Sequence, residues 1–220
     1  MCTVTFVNSQ SEIFITSNRD EQITRPKAIE PKLYKHNQYK IFYPKDAKAG
    51  GTWIAHTKNS CLVLLNGAFK KHIIKNNYAK SRGLILLDII QTNDILETFN
   101  TIKLNNIEPF TLICYQNNNL YELIWNGRKK FLKKLNTNQN YIWSSVTLYN
   151  AKARNKRKKY FEKFINSEEL SEETILKFHK ENHIKNCLEA KTVAAKHKIE
   201  TVSTTQCIIQ KNIAMKYYTY

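Results

Sequence analysis

Two features of the sequence could do chemistry. Met1-Cys2 sets a thiol at the second position. A small second residue permits removal of Met1, and Cys2 would then carry both a thiol and a free α-amine. An α-amine has a pKa near ~7.7–8, so close to neutral pH it can take a proton from the adjacent thiol or from water. One residue would supply nucleophile and base. The competing reading is that Cys2 fills space at the start of a strand. The second feature is Asn18-Arg19-Asp20-Glu21. If residues 2–7 and 12–17 pair as a hairpin, the strand ends lie side by side and Arg19 comes near Cys2. A guanidinium there lowers a thiol pKa and stabilises the thiolate. An acidic neighbour could anchor either the arginine or the α-ammonium. An ordinary charged loop at a strand end is the alternative.

The elements that must hold these groups are read from hydrophobic period and turn chemistry. CTVTFV and EIFITS, joined across Asn8-Ser9-Gln10-Ser11, predict a hairpin beginning almost at the first residue. Residues 22–50 hold Pro26, Pro31 and Pro44 and read as a long irregular excursion. Thr52-Trp53-Ile54-Ala55 and CLVLLN form a second expected hairpin that ends at Asn66-Gly67. The period then changes, predicting a helix over 77–91 and a short one from Asp94 to Phe99. FTLICY, LYELIW, RKKFLKKL and YIWSS follow as strands, with Asn126-Gly127 as a hairpin turn. Helices return at 153–165 and after Ser171, and IETVSTTQCIIQ with IAMKYYTY closes the chain as a hairpin. Such an order suits a layered α+β domain. FTLICY and CLVLLN are apolar on consecutive residues, which requires both faces to be covered. Four layers, αββα, meet that demand, and a single domain over residues 1–220 is expected.

Composition narrows the partners. The chain has 35 Lys+Arg against 18 Asp+Glu, a net charge of +17, which attracts anions of any kind. The lysines are spread along the whole chain, so nucleic acid is not the expected partner. The densest basic run, Lys152 to Lys159, is read as the solvated face of an amphipathic helix, with phosphate or acyl-CoA contact as the alternative. Five cysteines at wide spacing, without a C-x-x-C pair, argue against a disulfide framework and a structural zinc site. His179 and His183 share a helix face, but the order of the intervening Glu181 does not match a metalloprotease motif and no third ligand is apparent. They are read as surface residues, and no metal is expected. The N-terminus lacks a basic flank and long apolar core, and no run approaches the ~20 apolar residues that span a bilayer. A cytoplasmic location without a transmembrane segment is expected.

Met-Cys at the start, Asn18-Arg19-Asp20-Glu21 followed by Arg25-Pro26, and Gly50-Gly51-Thr52-Trp53 together resemble the NRDE family, which includes the transport-and-Golgi-organisation type proteins. The motifs fall in the first third of the chain; beyond Gly67 the likeness is one of element order. This resemblance implies an N-terminal-nucleophile (Ntn) hydrolase-like αββα fold with Cys2 as the first residue of the mature chain. More distant relatives, the penicillin V acylases and bile-salt hydrolases, share the N-terminal Cys and an Arg near the end of the second strand. In those enzymes the arginine precedes its aspartate by three positions, whereas here Arg19 and Asp20 are adjacent. Neighbours on an extended strand point to opposite faces, so Glu21 would share Arg19's face. The identity of the supporting carboxylate, Asp20 or Glu21, stays open. By the same resemblance Asn66 and Asn150 are candidate oxyanion donors, each with a local alternative as turn residue or helix cap. Trp53 lines a pocket wall or packs in the core.

The expected function is hydrolysis or transfer at a linear amide or related acyl bond of a small molecule. Cys2 is the nucleophile, its α-amine the base, and Arg19 the support for the thiolate. No cofactor is needed for that reaction. The second reading is non-enzymatic: carriage of haem or a lipid-like ligand in the same cleft, since thiolates also ligate haem iron.

Overall fold

The computed structural model describes residues 3–187 and 195–220. Its contacts divide the chain into two compact units, Met1–Arg25 with Thr137–Tyr220, and Pro26–Asn136.

The first unit is built on a five-stranded antiparallel sheet in the order β10-β1-β2-β11-β12. Its strands are β1 (Thr3–Asn8), β2 (Ile13–Gln22), β10 (Tyr141–Ser144), β11 (Ile199–Ile209) and β12 (Ile213–Thr219). The Asn8 side chain accepts from the Gln10 N–H at 2.8 Å and turns the chain between β1 and β2. That turn sets the register, from Asn8 opposite Ile13 to Thr3 opposite Asn18. Helices α3 (Ala151–Ser167) and α4 (Glu172–Glu181) pack on this sheet. Val7 and Phe14 of the sheet meet Phe161 and Phe164 of α3 and Ile175 and Phe178 of α4 in one apolar cluster. α4 starts at a capping box in which Ser171 and Thr174 bond reciprocally.

The second unit is a seven-stranded antiparallel sheet, β3 (Ile29–His36), β4 (Tyr39–Lys45), β5 (Ile54–His56), β6 (Ser60–Asn66), β7 (Phe110–Gln116), β8 (Asn119–Trp125) and β9 (Lys130–Leu135), in sequential order. Asn117 and Asn118 both take positive φ, 48° and 61°, and close the tight β7–β8 hairpin. Gly127 at φ +93° does so between β8 and β9. β6 and β7 are buried residue after residue, as the unbroken apolar runs require. Helix α1 (Arg82–Ile90) is capped by Ser81, and α2 (Ile95–Thr101) by Asp94.

Two expectations need correction. Residues 22–50 are not irregular, because β3 and β4 form a hairpin within them. β3 is the edge of its sheet, so most of its residues are exposed, Glu30, Lys32 and Lys35 among them, and Pro31 is tolerated there. These edge features hide a strand from pattern reading. The helix expected over 77–91 begins only at Arg82. The helix start sits against the Gly-Gly motif. A Cβ on Gly51 would lie 2.5 Å from the backbone of Gly83, and a Cβ on Gly83 would lie 2.7 Å from the Thr52 carbonyl.

Candidate functional site

The Asn18–Glu21 tetrapeptide lies within β2, and strand alternation divides it between two faces of the sheet. Asn18 and Asp20 face helices α3 and α4. Asn18 Oδ1 accepts from Thr204 Oγ1 at 2.8 Å and from His179 Nδ1 at 3.1 Å, while Asn18 Nδ2 donates to the His179 carbonyl at 2.9 Å. Because Nδ1 must carry the proton to reach that acceptor, His179 Nε2 accepts from Thr5 Oγ1 at 2.8 Å. Burial, then the charges of Arg157 and His183, push the His179 pKa down to about 3. It is a neutral core histidine, not the surface residue expected. His183 is buried too, and its pKa is lowered first of all by that burial.

Asp20 is buried and accepts from Tyr149 Oη at 2.8 Å and from Thr201 Oγ1 at 2.6 Å. Tyr149 Oη in turn accepts from Arg157 Nη2 at 3.0 Å, and the guanidinium lies 4.1 Å over the Tyr149 ring. Arg157 also donates to Thr3 Oγ1 at 2.6 Å and to the Asn182 carbonyl at 2.9 Å. This arginine belongs to the run expected to be solvated. It is buried because Ala153, Arg157, Phe161 and Phe164 recur on one helical face.

Arg19 and Glu21 take the other face. Arg19 is 4% exposed, and its Nη2 lies 3.4 Å from Glu21 Oε2. Arg25 Nε lies 3.5 Å from the same oxygen. Two guanidinium groups therefore share one carboxylate at the end of β2. Arg19 pairs across the sheet with Ser203, and Ser17 with Thr205. Ser203 Oγ and Thr205 Oγ1 are buried and have no hydrogen-bond partner among the described residues. Buried hydroxyls left open in this way mark a place where a polar ligand atom can be received. The signal was present in the run Ser203-Thr204-Thr205, where a core strand would ordinarily carry apolar residues.

The remaining candidates are placed as follows. Cys2 lies outside the described residues. Asn66 is the last residue of β6, opposite Phe110, in the second unit. The Gly67 that follows it takes φ +87°, and its carbonyl accepts from Thr111 Oγ1 at 3.0 Å. Trp53 is buried in that same unit, where its carbonyl accepts from the Leu64 N–H at 2.9 Å. Asn150 is the cap of α3, accepting from the Ala153 N–H at 2.9 Å. Among the described residues the structure brings Arg19 and Glu21 together and separates Asp20 from them. Cys61, Cys114, Cys187 and Cys207 are all buried. Burial, with Cys61 beside it, pushes the Cys114 thiol pKa far up.

The structure is similar to that of a variant of conjugated bile acid hydrolase from Clostridium perfringens, with a TM-score of 0.59 and 10% identity, covering 100% of this chain and 97% of that one. It is also similar to penicillin V acylase from Agrobacterium tumefaciens, with a TM-score of 0.57 and 6% identity, covering 100% and 86%. At such low identity the likeness shows the fold alone, the antiparallel α+β architecture of the Ntn hydrolases. No curated protein matches the sequence. The Transport and Golgi organisation 2 family matches residues 1–219, and the chain belongs to that family.

Proposed function

We propose that the protein is an Ntn-type cysteine hydrolase or acyltransferase acting on a linear amide or related acyl bond. The observation that carries this reading is the buried Arg19. Thr3, one peptide bond from Cys2, pairs with Asn18, one peptide bond from Arg19. The Arg19 guanidinium, held by Glu21, favours an anionic group nearby, such as a thiolate.

In the proposed reaction the α-amine of Cys2, freed by removal of Met1, takes the thiol proton. The thiolate adds to the substrate carbonyl, and the carbonyl π pair moves onto oxygen. The tetrahedral oxyanion collapses, the C–N bond breaks, and the amine leaves with the proton held by the α-ammonium. Water or another acyl acceptor then cleaves the thioester by the same route. Glu21 is the carboxylate that holds Arg19. Ser203 and Thr205 are available to polar substrate atoms. The similarity to a conjugated bile acid hydrolase and a penicillin V acylase supports an amide substrate class.

Intact-protein mass spectrometry before and after an electrophilic acyl probe tests the reading. A chain starting at Cys2 that gains one adduct, lost in Cys2→Ala, is the expected result. Full retention of Met1 in protein from its native source removes the mechanism. A Soret band in the purified protein, with no adduct, would favour the carrier role instead.

A further inference from the structure

In the second unit, the loop after β6 inverts the usual order of residues. His72 turns inward and bonds Glu108 Oε1 at 3.0 Å, and Arg82 holds the same carboxylate at 3.0 Å. The next two residues, Ile73 and Ile74, point outward with 93% and 72% of their surface exposed. The loop is fixed in this arrangement at both ends. Gly67 N–H donates to the Pro109 carbonyl at 3.0 Å, and Ala79 N–H to the Asn106 carbonyl at 3.0 Å. The exposed isoleucines are thus held out by a structured loop.

They are not isolated. Phe69 is exposed in the same loop and packs edge-to-face on exposed Phe131 of β9, with centroids 5.0 Å apart. An exposed apolar group of this size on a soluble surface marks an interaction site. Lys70, Lys71 and Lys75 flank the isoleucines, all exposed. Among the described residues no carboxylate pairs with these lysines. The acidic residue of the loop base, Glu108, is already taken by His72 and Arg82.

We propose that this loop docks on an anionic lipid surface, with Ile73 and Ile74 entering the interface and Lys70, Lys71 and Lys75 resting on the headgroups. Apolar tips ringed by lysines match the two layers of such a surface, acyl chains within and negative charge above. The chain's net charge of +17 adds long-range attraction to the same surface. Nucleic acid would satisfy the lysines but would gain nothing from two protruding isoleucines. No helix among the described residues is long and apolar enough to cross a membrane.

The test is co-sedimentation of the full chain with vesicles of phosphatidylcholine, with and without phosphatidylserine. Binding to the phosphatidylserine vesicles is expected, weakening as salt rises. Ile73→Asp with Ile74→Asp should reduce partitioning by about tenfold or more, as should Lys70→Glu with Lys71→Glu and Lys75→Glu. These sites are exposed, so melting curves should not move. A control with the same charge change on helix α3, Lys152→Glu with Lys158→Glu and Lys159→Glu, should bind nearly as well as the unaltered chain. An equal loss in that control would reduce the effect to bulk charge and overturn the proposal. So would absence of binding to phosphatidylserine vesicles, equal binding to both vesicle types, or a self-association lost in the isoleucine variant without vesicle binding.

Discussion

Tyr149 donates its hydroxyl to Asp20 Oδ2 at 2.8 Å, while Arg157 donates to that same hydroxyl at 3.0 Å. The tyrosine thus links a carboxylate of β2 to a guanidinium of α3, and Arg157 continues to Thr3 at the start of β1. The role of Asp20 follows from this chain of bonds: it ties the sheet to its helices. Asp20→Ala should leave the hydroxyls of Tyr149 and Thr201 without their acceptor and destabilise the protein by about 3 kcal/mol. That corresponds to roughly 6–12 °C in Tm for a chain of this size. Tyr149→Phe should cost about 1–3 kcal/mol, and the double variant less than the sum. Urea melts check the energies. Cys2 alkylation in folded Asp20→Ala should keep its normal pH profile.

Arg19 should behave in the opposite way. If it supports the Cys2 thiolate, Arg19→Ala raises the Cys2 pKa by about one unit, equivalent to ~1.4 kcal/mol. Arg19→Lys should recover only part, because lysine lacks the planar fork that holds a carboxylate and a thiolate together. Glu21→Gln removes the negative charge that Arg19 and Arg25 share and should shift the Cys2 pKa down. Iodoacetamide labelling against pH, mapped by peptide, reads all three. An unmoved Cys2 pKa in Arg19→Ala would remove the mechanism.

The buried imidazole of His179 makes stability depend on pH. Its pKa is near the ordinary 6.5 when unfolded and about 3 when folded, so the folded state holds it neutral. Below pH 6.5 the unfolded state binds the extra proton first, and stability falls as pH drops towards 3. This one group contributes a slope of at most ~1.4 kcal/mol per pH unit. His183, also lowered, acts in the same direction. His179→Gln should start from lower stability at neutral pH but lose less on acidification. Urea melts across that pH range check it.

Gly51 has no room for a side chain. An added Cβ would meet Gly83 backbone at 2.5 Å, so Gly51→Ala must push α1 away from the start of β5. The expected cost is about 1–3 kcal/mol or more. Gly50→Ala, with its nearest atom at 4.0 Å but φ at +72°, should cost less, through backbone strain alone. Thermal melts of the two variants compare steric with conformational loss.

Local chemistry in the sequence determined much of this protein. Asn126-Gly127 marked a hairpin because few other residues accept positive φ there, and Ser171 marked a helix start because its hydroxyl can replace a missing backbone partner. The alternation of a strand already implied that Glu21, not Asp20, shares Arg19's face, as the 3.4 Å ion pair shows. Tertiary structure decided the rest. Arg157, His179 and His183 read as surface residues, because long charged or polar side chains on a helix ordinarily seek water. Arg157 and His179 are buried because Thr3, Thr5 and Asn18, distant in sequence, and Tyr149 supply the hydrogen bonds that replace it, while His183 packs its ring on Tyr220. The β3 edge strand was hidden for the converse reason: its exposed residues carry no apolar alternation, and only pairing with β4 defines it. Sequence period records which faces are apolar; it does not record which polar groups will meet across a fold.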